Sequence, residues 1–253
     1  FMEEGVMKKI VVYCLLAFLL LSGKAYATSY TFSGSDSGGT GSATMEIVFD
    51  FDNDKLDLYL DNTSPTTLIN TSGENSPGIT GFGFNLDPTQ THNSWELKAY
   101  SSSNTSTQTT IGSNSNVSLP WTLDTDTNVE GQILDFLANN DNGVNNALYN
   151  PSASNNSNIP SGSNTAYFTA AHFILNFSSN IQAIDNLVIE NPYVRMKNVG
   201  YNSTSGDPDG SLKLFGVEED PGAGPQTTIP EPGTLLLLGT GLLGCGIFLR
   251  RKA

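Results

Sequence analysis

The chain has 253 residues, of which 25 are acidic and 11 are basic, giving a net charge of −14. Six of the basic residues lie at the two ends, so residues 28–228 alone carry 22 acidic and five basic residues, a net charge of −17. Such a surface repels nucleic acid and anionic lipid, and this excludes a nucleic-acid-binding protein. Both cysteines, Cys14 and Cys245, lie in the end segments, so the region between them can form no disulfide and no thiolate metal site.

The N-terminus has the three parts of a secretory signal peptide. These are the basic Met7-Lys8-Lys9, the apolar residues 10–21 and the small-x-small cleavage site Ala25-Tyr26-Ala27. Cleavage after Ala27 gives a mature chain that begins at Thr28. Met7 is preferred to Met2 as the start, because the two glutamates that follow Met2 do not suit a basic leader. We therefore predict a signal helix within residues 1–27 and export through the Sec translocon.

A short proline-rich motif, an apolar run and a basic end follow one another at the C-terminus. Pro230, Glu231 and Pro232 precede the apolar run from Thr234 to Leu249, and Arg250, Arg251 and Lys252 follow it. A helix of those 16 apolar positions reaches about 24 Å, against a hydrocarbon core of about 30 Å. Snorkelling basic side chains allow a marginal transmembrane helix with its basic end on the cytoplasmic side.

This C-terminal segment resembles the sorting signal of the PEP-CTERM family of exported bacterial proteins. The resemblance rests on Pro230-Glu231-Pro232, the Gly/Leu-rich run and Arg250-Arg251-Lys252. It implies that a membrane-embedded exosortase recognises the Pro-Glu-Pro element and removes the helix, in a host that makes biofilm or exopolysaccharide. It also implies an inner-membrane intermediate before the protein reaches the cell surface or the extracellular space. The same segment is called an ice-binding-protein C-terminal domain, a name for the anchor that implies no ice binding.

Between the two ends, apolar and polar residues alternate with the period of two that half-buried strands require. The pattern is clearest from Ser42 to Asp52 and from Leu56 to Asp61, and the turn residues between them predict a β-hairpin. We predict an all-β, antiparallel β-sandwich of jelly-roll type. The predicted division is a leader and signal peptide at 1–27, the sandwich at 28–217, a flexible Pro/Gly linker at 218–228, and a sorting and anchor segment with one transmembrane helix at 229–253.

Further strands are predicted at Ser29–Ser33, Gly78–Leu86, Trp95–Tyr100, Val117–Leu123, Tyr167–Phe177, Leu187–Val199 and Ser211–Val217. Residues 101–110 contain only Ser, Thr, Asn and Gln, which predicts an exposed loop and a candidate for O-linked sugar. Residues 129–149 favour one or two short helical turns around Ile133–Leu137. Gly81 and Gly83, beside Phe82 and Phe84, indicate a bulged or tightly packed strand.

The sequence offers little for catalysis. Its two histidines, His92 and His172, are far apart, and no Gly-x-Ser-x-Gly elbow or His-Glu-x-x-His zinc motif occurs. His172 lies in an apolar strand-like run and is expected to be structural, whereas His92 is expected in a loop. No glutamate lies in a recognisable glycosidase motif. We therefore predict no enzyme and no catalytic residue.

Calcium is the metal for which the sequence contains candidate ligands. Asp50, Asp52 and Asp54 have the spacing of an EF-hand loop with Asp61 at its twelfth position, and Asp207 and Asp209 form a second oxygen-rich turn. Lys55 occupies the sixth position, where an EF-hand loop requires glycine, and both flanks alternate as strands. Ordinary turn chemistry accounts for both groups, so we expect no cofactor and keep a Ca²⁺ site as the weaker alternative.

Together these features predict an exported cell-surface or extracellular-matrix protein with a structural or interaction role and no catalysis. The alternative is a secreted carbohydrate-binding module of an exopolysaccharide or biofilm matrix. In that case Trp95, Trp121, Tyr100 and Tyr201 are the candidate sugar-stacking residues, although strands also favour such aromatics in the core. The expected partners are the translocon and an exosortase during export, with extracellular polysaccharide as the candidate partner afterwards.

Overall fold

The computed structural model describes residues 25–65, 68–70, 73–74, 77–101, 104–140, 143–150, 168–178, 180–181, 187–201, 204 and 208–219. These residues form 17 β-strands and no α-helix, which confirms the all-β prediction. No helix among them is long and apolar enough to cross a membrane. The predicted signal helix and C-terminal helix lie outside the described residues.

The strands, in chain order, are β1 (Ala25–Asp36), β2 (Gly39–Asp50), β3 (Lys55–Asn62), β4 (Leu68–Asn70), β5 (Gly73–Glu74), β6 (Gly78–Asp87), β7 (His92–Ser101), β8 (Asn104–Ser113), β9 (Trp121–Asp124), β10 (Thr127–Val129), β11 (Gln132–Leu134), β12 (Phe136–Asn140), β13 (Leu148–Tyr149), β14 (Phe168–Phe177), β15 (Val188–Tyr201), β16 (Pro208–Phe215) and β17 (Val217–Glu218). Thirteen of them form one sheet with the order β16-β15-β6-β12-β9-β8-β7-β14-β3-β2-β1-β17, with β13 beside this path. The pairs β10–β11 and β4–β5 are separate hairpins.

The short strand β13 closes part of this sheet into a ring. It pairs with β14 through Leu148 and Phe168, and with β6 through Leu148 and Ile79. Since β6 and β14 are far apart in the strand order, hydrogen bonds now run continuously through β6, β12, β9, β8, β7, β14, β13 and back to β6. The core therefore lies inside a sheet that curls on itself.

Two arms of the sheet extend beyond this ring, β15–β16 from β6 and β3–β2–β1 from β14. The arms approach each other, since β2 contacts β15 and β1 contacts β16. A Cβ added at Gly41 of β2 would lie 2.8 Å from the Met196 sulfur of β15. The predicted sandwich of two separate jelly-roll sheets is therefore corrected: two layers do face each other, but both belong to one continuous sheet.

Alternation along β2 and β3 produces the main core. Met45, Ile47 and Phe49 are fully buried on β2, where the residues between them are only partly buried. Leu56 and Leu58 are fully buried on β3, where the intervening Asp57 is also buried. The pairing of Asp50 with Lys55 at the turn confirms the predicted β2–β3 hairpin. A two-residue turn at Ser37 (φ 50°) and Gly38 (φ 78°) joins β1 to β2, the left-handed geometry that tight hairpins require.

A second, smaller core lies on the outer side of the sheet. The β10–β11 hairpin contributes Val129 and Leu134, which cluster with Leu137 of β12 and Tyr193 of β15. Its presence explains the glycine-rich pattern of β6, because a Cβ at Gly83 would lie 2.5 Å from the Phe136 carbonyl oxygen and 3.0 Å from Leu134. The predicted tight packing of β6 is thus confirmed, and it allows this hairpin to pack against the strand.

The predicted loop at 101–110 is wrong, since residues 104–113 form β8. β8 pairs with β7, placing Gln108 opposite Tyr100 and Thr110 opposite Lys98. Its residues 106–109 are exposed, so this part of the strand has no alternating apolar residues by which to recognise it. Its threonines nevertheless favour a strand. The segment stays exposed, but it is strand and not loop.

The predicted helical turns within 129–149 are also wrong, because this region contains β10, β11, β12 and β13. Phe136, Leu137 and Ala138 are consecutive and all buried. They are buried because one side of β12 faces the main core and the β10–β11 hairpin covers the other. The sequence of a strand that is covered on both faces has no period of two, so it resembles that of a short apolar helix.

Most predicted strands have somewhat different bounds in the structure, and two of them are instructive. Val117 is 88% exposed in a turn, and the strand predicted from it begins only at Trp121. The strand predicted at Leu187–Val199 forms β15 and continues through Pro192, with a β-bulge against β6 between Glu190 and Tyr193. A bulge accommodates proline because the local ladder hydrogen bond is already absent.

Replacing Phe173 by alanine tests the main core. Phe173 is fully buried and contacts the rings of Phe82 and Trp95. We expect Phe173→Ala to lower the free energy of unfolding by about 3–5 kcal/mol, because it removes apolar contacts and leaves a cavity. Val117→Ala, at an exposed turn position, is the control and should change the value by less than about 0.5 kcal/mol. Equal effects of the two variants in urea unfolding would contradict this description of the core.

Candidate functional site

The structure does not assemble an EF-hand loop from the first group of calcium candidates. Asp50 accepts hydrogen bonds from the backbone and side-chain nitrogens of Asn53, at 3.2 and 2.8 Å. Asp54 Oδ1 accepts the backbone N–H of Ile181 at 2.8 Å, and Asp52 lies exposed in the same turn. Asp61 is at the far end of β3, about 20 Å along an extended strand from this turn. These aspartates shape the β2–β3 turn and fasten it to residue 181.

The second calcium candidate is described only at Asp209, since Asp207 lies outside the described residues. Asp209 Oδ1 accepts the backbone N–H of Gly210 at 2.8 Å. Asp36 Oδ2 accepts the N–H of Ser211 at 2.7 Å and so ties the β1–β2 turn to β16. Within the described part of the chain, no group of three or more His, Cys, Asp or Glu side chains is placed to hold a metal ion.

A group of neighbouring polar side chains lies on the outer side of β3, β14, β7 and β8. We call it the polar face, and its members are Lys55, Asp57, Tyr59, Glu96, Lys98, Thr110 and His172. Strand pairing sets Tyr59 opposite His172, His172 opposite Lys98, and Lys98 opposite Thr110. Residues that are up to 115 positions apart in the chain thus become neighbours.

His172 has two partners on the polar face. Its Nε2 lies 2.8 Å from Asp57 Oδ1, and its ring stacks on Tyr59 with centroids 4.5 Å apart and planes inclined by 13°. Asp57 also accepts from Lys55 Nζ at 2.8 Å, and this hydrogen bond raises the pKa of Lys55. This geometry agrees with the expectation that His172 is structural. His92, expected in a loop, is instead the first residue of β7, where burial lowers its pKa and its ring meets Phe136 edge-on.

Glu96 is the second carboxylate of the polar face. It accepts Lys98 Nζ at 2.8 Å on one oxygen and the Thr110 hydroxyl at 2.6 Å on the other. Partial burial by itself raises the pKa of Glu96, but the hydrogen bonds from Lys98 and Thr110 outweigh it and hold the pKa below its ordinary value. The polar face therefore neutralises its own charges.

The predicted sugar-stacking tryptophans are not available to a ligand. Trp95 is 7% exposed and Trp121 is 1% exposed, and both belong to the main core. Trp121 Nε1 donates to the carbonyl of Asn146 at 3.0 Å, which satisfies its polar atom inside the protein. Tyr100 is partly exposed on β7, and the side chain of Tyr201 lies outside the described residues.

Sequence reasoning missed a group of cations on the outer side of β15 and β16. We call Arg195, Lys197 and Lys213 the cationic face. Arg195 and Lys213 are directly paired across the two strands, and Lys197 is paired with Ser211. Arg195 Nε is buried and has no hydrogen-bond partner among the described residues. The signal in the sequence was the position of three of the five basic residues of the region 28–228 in its last third.

Aromatic rings and one carboxylate border the cationic face. Tyr193 is paired with Phe215, with ring centroids 5.5 Å apart, and Phe215 is 38% exposed. Glu130, at the tip of the β10–β11 hairpin, forms an exposed ion pair with Lys213. Burial raises the pKa of Tyr193 to about 12, so its hydroxyl stays protonated at neutral pH.

The predicted signal-cleavage residues lie at the start of β1, where Ala25 and Ala27 pair with Asp50 and Val48 of β2. The cleavage itself stays a prediction. Pro230, Glu231, Pro232, Arg250, Arg251 and Lys252 lie outside the described residues, so their assignment depends on sequence comparison.

The family model of the PEP-CTERM protein-sorting motif matches residues 228–252. The chain carries a PEP-CTERM sorting motif. No curated protein matches the chain. The PEP-CTERM motif supports an exported protein that an exosortase sorts to the cell surface, and it covers about a tenth of the sequence. It assigns no role to the folded domain.

Calcium is expected to have no effect on stability. Thermal unfolding of the full chain should give the same midpoint in excess calcium and in excess chelator. Asp54→Ala should destabilise by about 1–2 kcal/mol in both conditions, because it removes the acceptor for the Ile181 N–H. A midpoint that rises with calcium in the parent chain but not in Asp54→Ala would show a metal site at this turn.

Thr110→Val tests the charge balance of the polar face. Without the Thr110 hydroxyl, the pKa of Glu96 should rise toward the ordinary value of a glutamate. A carboxylate with a lowered pKa stabilises the fold above that value and loses its contribution as the pH falls through the folded-state pKa. Thr110→Val should therefore cost about 1 kcal/mol or less at pH 7, because Glu96 is partly exposed, and nothing when Glu96 is protonated.

The control is Thr109→Val, the same substitution at the neighbouring exposed position of β8. Both variants gain the same strand propensity, so only the loss of the hydrogen bond differs. The measurements are urea unfolding as a function of pH and NMR titration of the Glu96 carboxyl. If the two variants have the same pH profile, the hydrogen bond from Thr110 does not set the pKa of Glu96.

Proposed function

We propose that this chain is an exported, non-catalytic surface protein with a structural or interaction role at the cell surface or in an extracellular matrix. The observation that carries the proposal is the PEP-CTERM motif at residues 228–252, which follows an all-β region. The motif supports delivery, and a cysteine-free domain with a continuous core suits a protein that must persist outside the cell without disulfides.

The surroundings of His172 support a non-catalytic role. A general base must present a nitrogen to the proton that it abstracts. His172 Nε2 is bound to Asp57, and one face of its ring is covered by Tyr59. Asp57 is itself bound by Lys55. The arrangement is that of a stabilising cross-strand network and not of an activated nucleophile.

Carbohydrate binding is the second candidate function, and a specific observation favours it. In contrast to the predicted tryptophans, Phe215 is exposed, and it lies beside paired cations on an outward-facing part of β16. An exposed aromatic side chain on a sheet offers a surface to the apolar face of a sugar. This makes the outer side of β15 and β16 the preferred position for a ligand.

Glu231→Ala tests delivery by the sorting motif. We expect this variant to remain in the membrane fraction with its C-terminal residues attached, whereas the parent chain reaches the surface without them. Glu219→Ala, which removes one carboxylate ahead of the matched residues 228–252, is the control and should behave as the parent. Cell fractionation and mass spectrometry of the C-terminus are the measurements. Surface release of Glu231→Ala with a parental C-terminus would refute sorting through this motif.

A further inference from the structure

We propose that the outer side of β15 and β16 binds an acidic polysaccharide, whose carboxylates pair with the cationic face and whose sugar rings stack on Phe215. The inference rests on the proposed function, because a polysaccharide ligand requires a protein that reaches the cell surface. It adds the chemical class of the ligand and the residues that select it.

The distribution of charge is the first observation. The region 28–228 has only five basic residues against 22 acidic ones, yet three of the five form the cationic face. Arg195 and Lys213 are opposite each other on neighbouring strands, and like charges in that position destabilise a sheet. Side chains that break a local stability rule in this way mark a functional surface.

The second observation is the state of Arg195. Its Nε is buried and has no hydrogen-bond partner among the described residues, although buried polar atoms are nearly always paired. A guanidinium group offers two parallel N–H donors that match the two oxygens of a carboxylate. A ligand carboxylate beside this guanidinium group would offset its charge and would at the same time relieve its repulsion with Lys213.

The third observation is the neighbouring Phe215. Lys213 and Phe215 are two residues apart on β16, on the same side of the strand and about 7 Å apart. Phe215 is 38% exposed and its inner edge is supported by Tyr193. A cation and an exposed aromatic ring at this spacing suit a sugar acid, which combines a carboxylate with an apolar ring face.

The acidity of the rest of the protein selects among anionic partners. Duplex DNA carries one charge per about 1.7 Å, so the acidic surface around three cations would repel it over its length. A second copy of the chain has the same large negative charge and is repelled as a whole. A polysaccharide with one carboxylate on each sugar has a lower charge density and can place a few carboxylates on the cationic face while neutral groups cross the acidic surface.

Glu130 gives the proposal a test in the opposite direction. Its carboxylate is exposed and forms an ion pair with Lys213, and exposed pairs of this kind contribute little to stability. It therefore occupies the position that a ligand carboxylate would take and competes with it. Removing the Glu130 charge should strengthen binding, whereas removing a charge of the cationic face should weaken it.

The experiment measures binding of the full chain to polygalacturonate at about 0.15 M salt. Fully methyl-esterified polygalacturonate, which has the same backbone without charge, and duplex DNA are the comparison ligands. We expect the parent chain to bind only the charged polysaccharide, and Arg195→Gln and Lys213→Gln to bind it about tenfold more weakly. Lys98→Gln, an equal change of charge on the polar face, should stay within about twofold of the parent.

Two further variants keep the test decisive if Arg195→Gln fails to fold. Glu130→Gln changes an exposed turn residue and should bind more tightly than the parent. Glu46→Gln, which removes one carboxylate from the outer side of β2, should not. Equal effects of Arg195→Gln and Lys98→Gln, equal binding of the esterified polymer or DNA, or no gain in Glu130→Gln would each overturn the proposal. Surface delivery, measured separately, shows whether the proposed function fails with it.

Discussion

In the described part of the chain, the apolar inner face of the sheet is covered without a helix and without a disulfide, and the rest of the structure depends on this constraint. The inner side chains of β2, β3 and β14, such as Met45, Leu58 and Phe173, are fully buried. Within the described part of the chain, which contains no α-helix, the sheet itself covers them. It does so by curling until β13 joins β6 to β14 and until its two arms face each other.

Curling has a direct consequence for function. It turns side chains such as Tyr59 and Phe215 on the outer side of the sheet toward solvent, whereas the β10–β11 hairpin covers Leu137 and Tyr193. On β3, β14, β7 and β8 that side carries charges that satisfy one another, with Asp57 between Lys55 and His172 and Glu96 beside Lys98. On β15 and β16 it carries cations that repel one another across the strands. The polar face stabilises the sheet, whereas the cationic face is the proposed position of the ligand.

The hairpin over β6 links these two roles of the outer side. Packing of the hairpin against β6 requires Gly83, because any side chain there would clash with the Phe136 carbonyl oxygen. The tip of the hairpin places Glu130 beside Lys213. A feature that completes the small outer core thus also places the carboxylate that competes for the cationic face. Packing and ligand selectivity are in this way set by the same turn.

Alternation allowed the sequence to predict the β2–β3 hairpin and most long strands, because each has one buried and one solvated face. It failed at β8, whose exposed residues 106–109 carry no apolar residue, and at β12, whose residues are buried on both faces. The cause is the same in both cases. A period of two arises only where one face of a strand is buried. A stretch of strand with both faces exposed, or with both faces buried, therefore does not show it.

The candidate site was beyond sequence reasoning for a different reason. Trp95 and Trp121 looked like ligand platforms by residue type, but burial removed them from the surface. Arg195 and Lys213 are 18 positions apart and belong to no motif, and only the register of β15 against β16 makes them a pair. A shift of that register by one residue would turn one set of side chains to the opposite face.

The sequence by itself determined the destination of this protein and its class of fold. A sorting motif is read by a partner as a short linear segment, and strand periodicity is a local property, so both are visible without a structure. Only the tertiary structure decided that the sheet closes on itself, that the tryptophans are core residues and that three cations share one face. Those outcomes depend on which strands pair and in what register, and strand pairing joins residues that are remote in the chain.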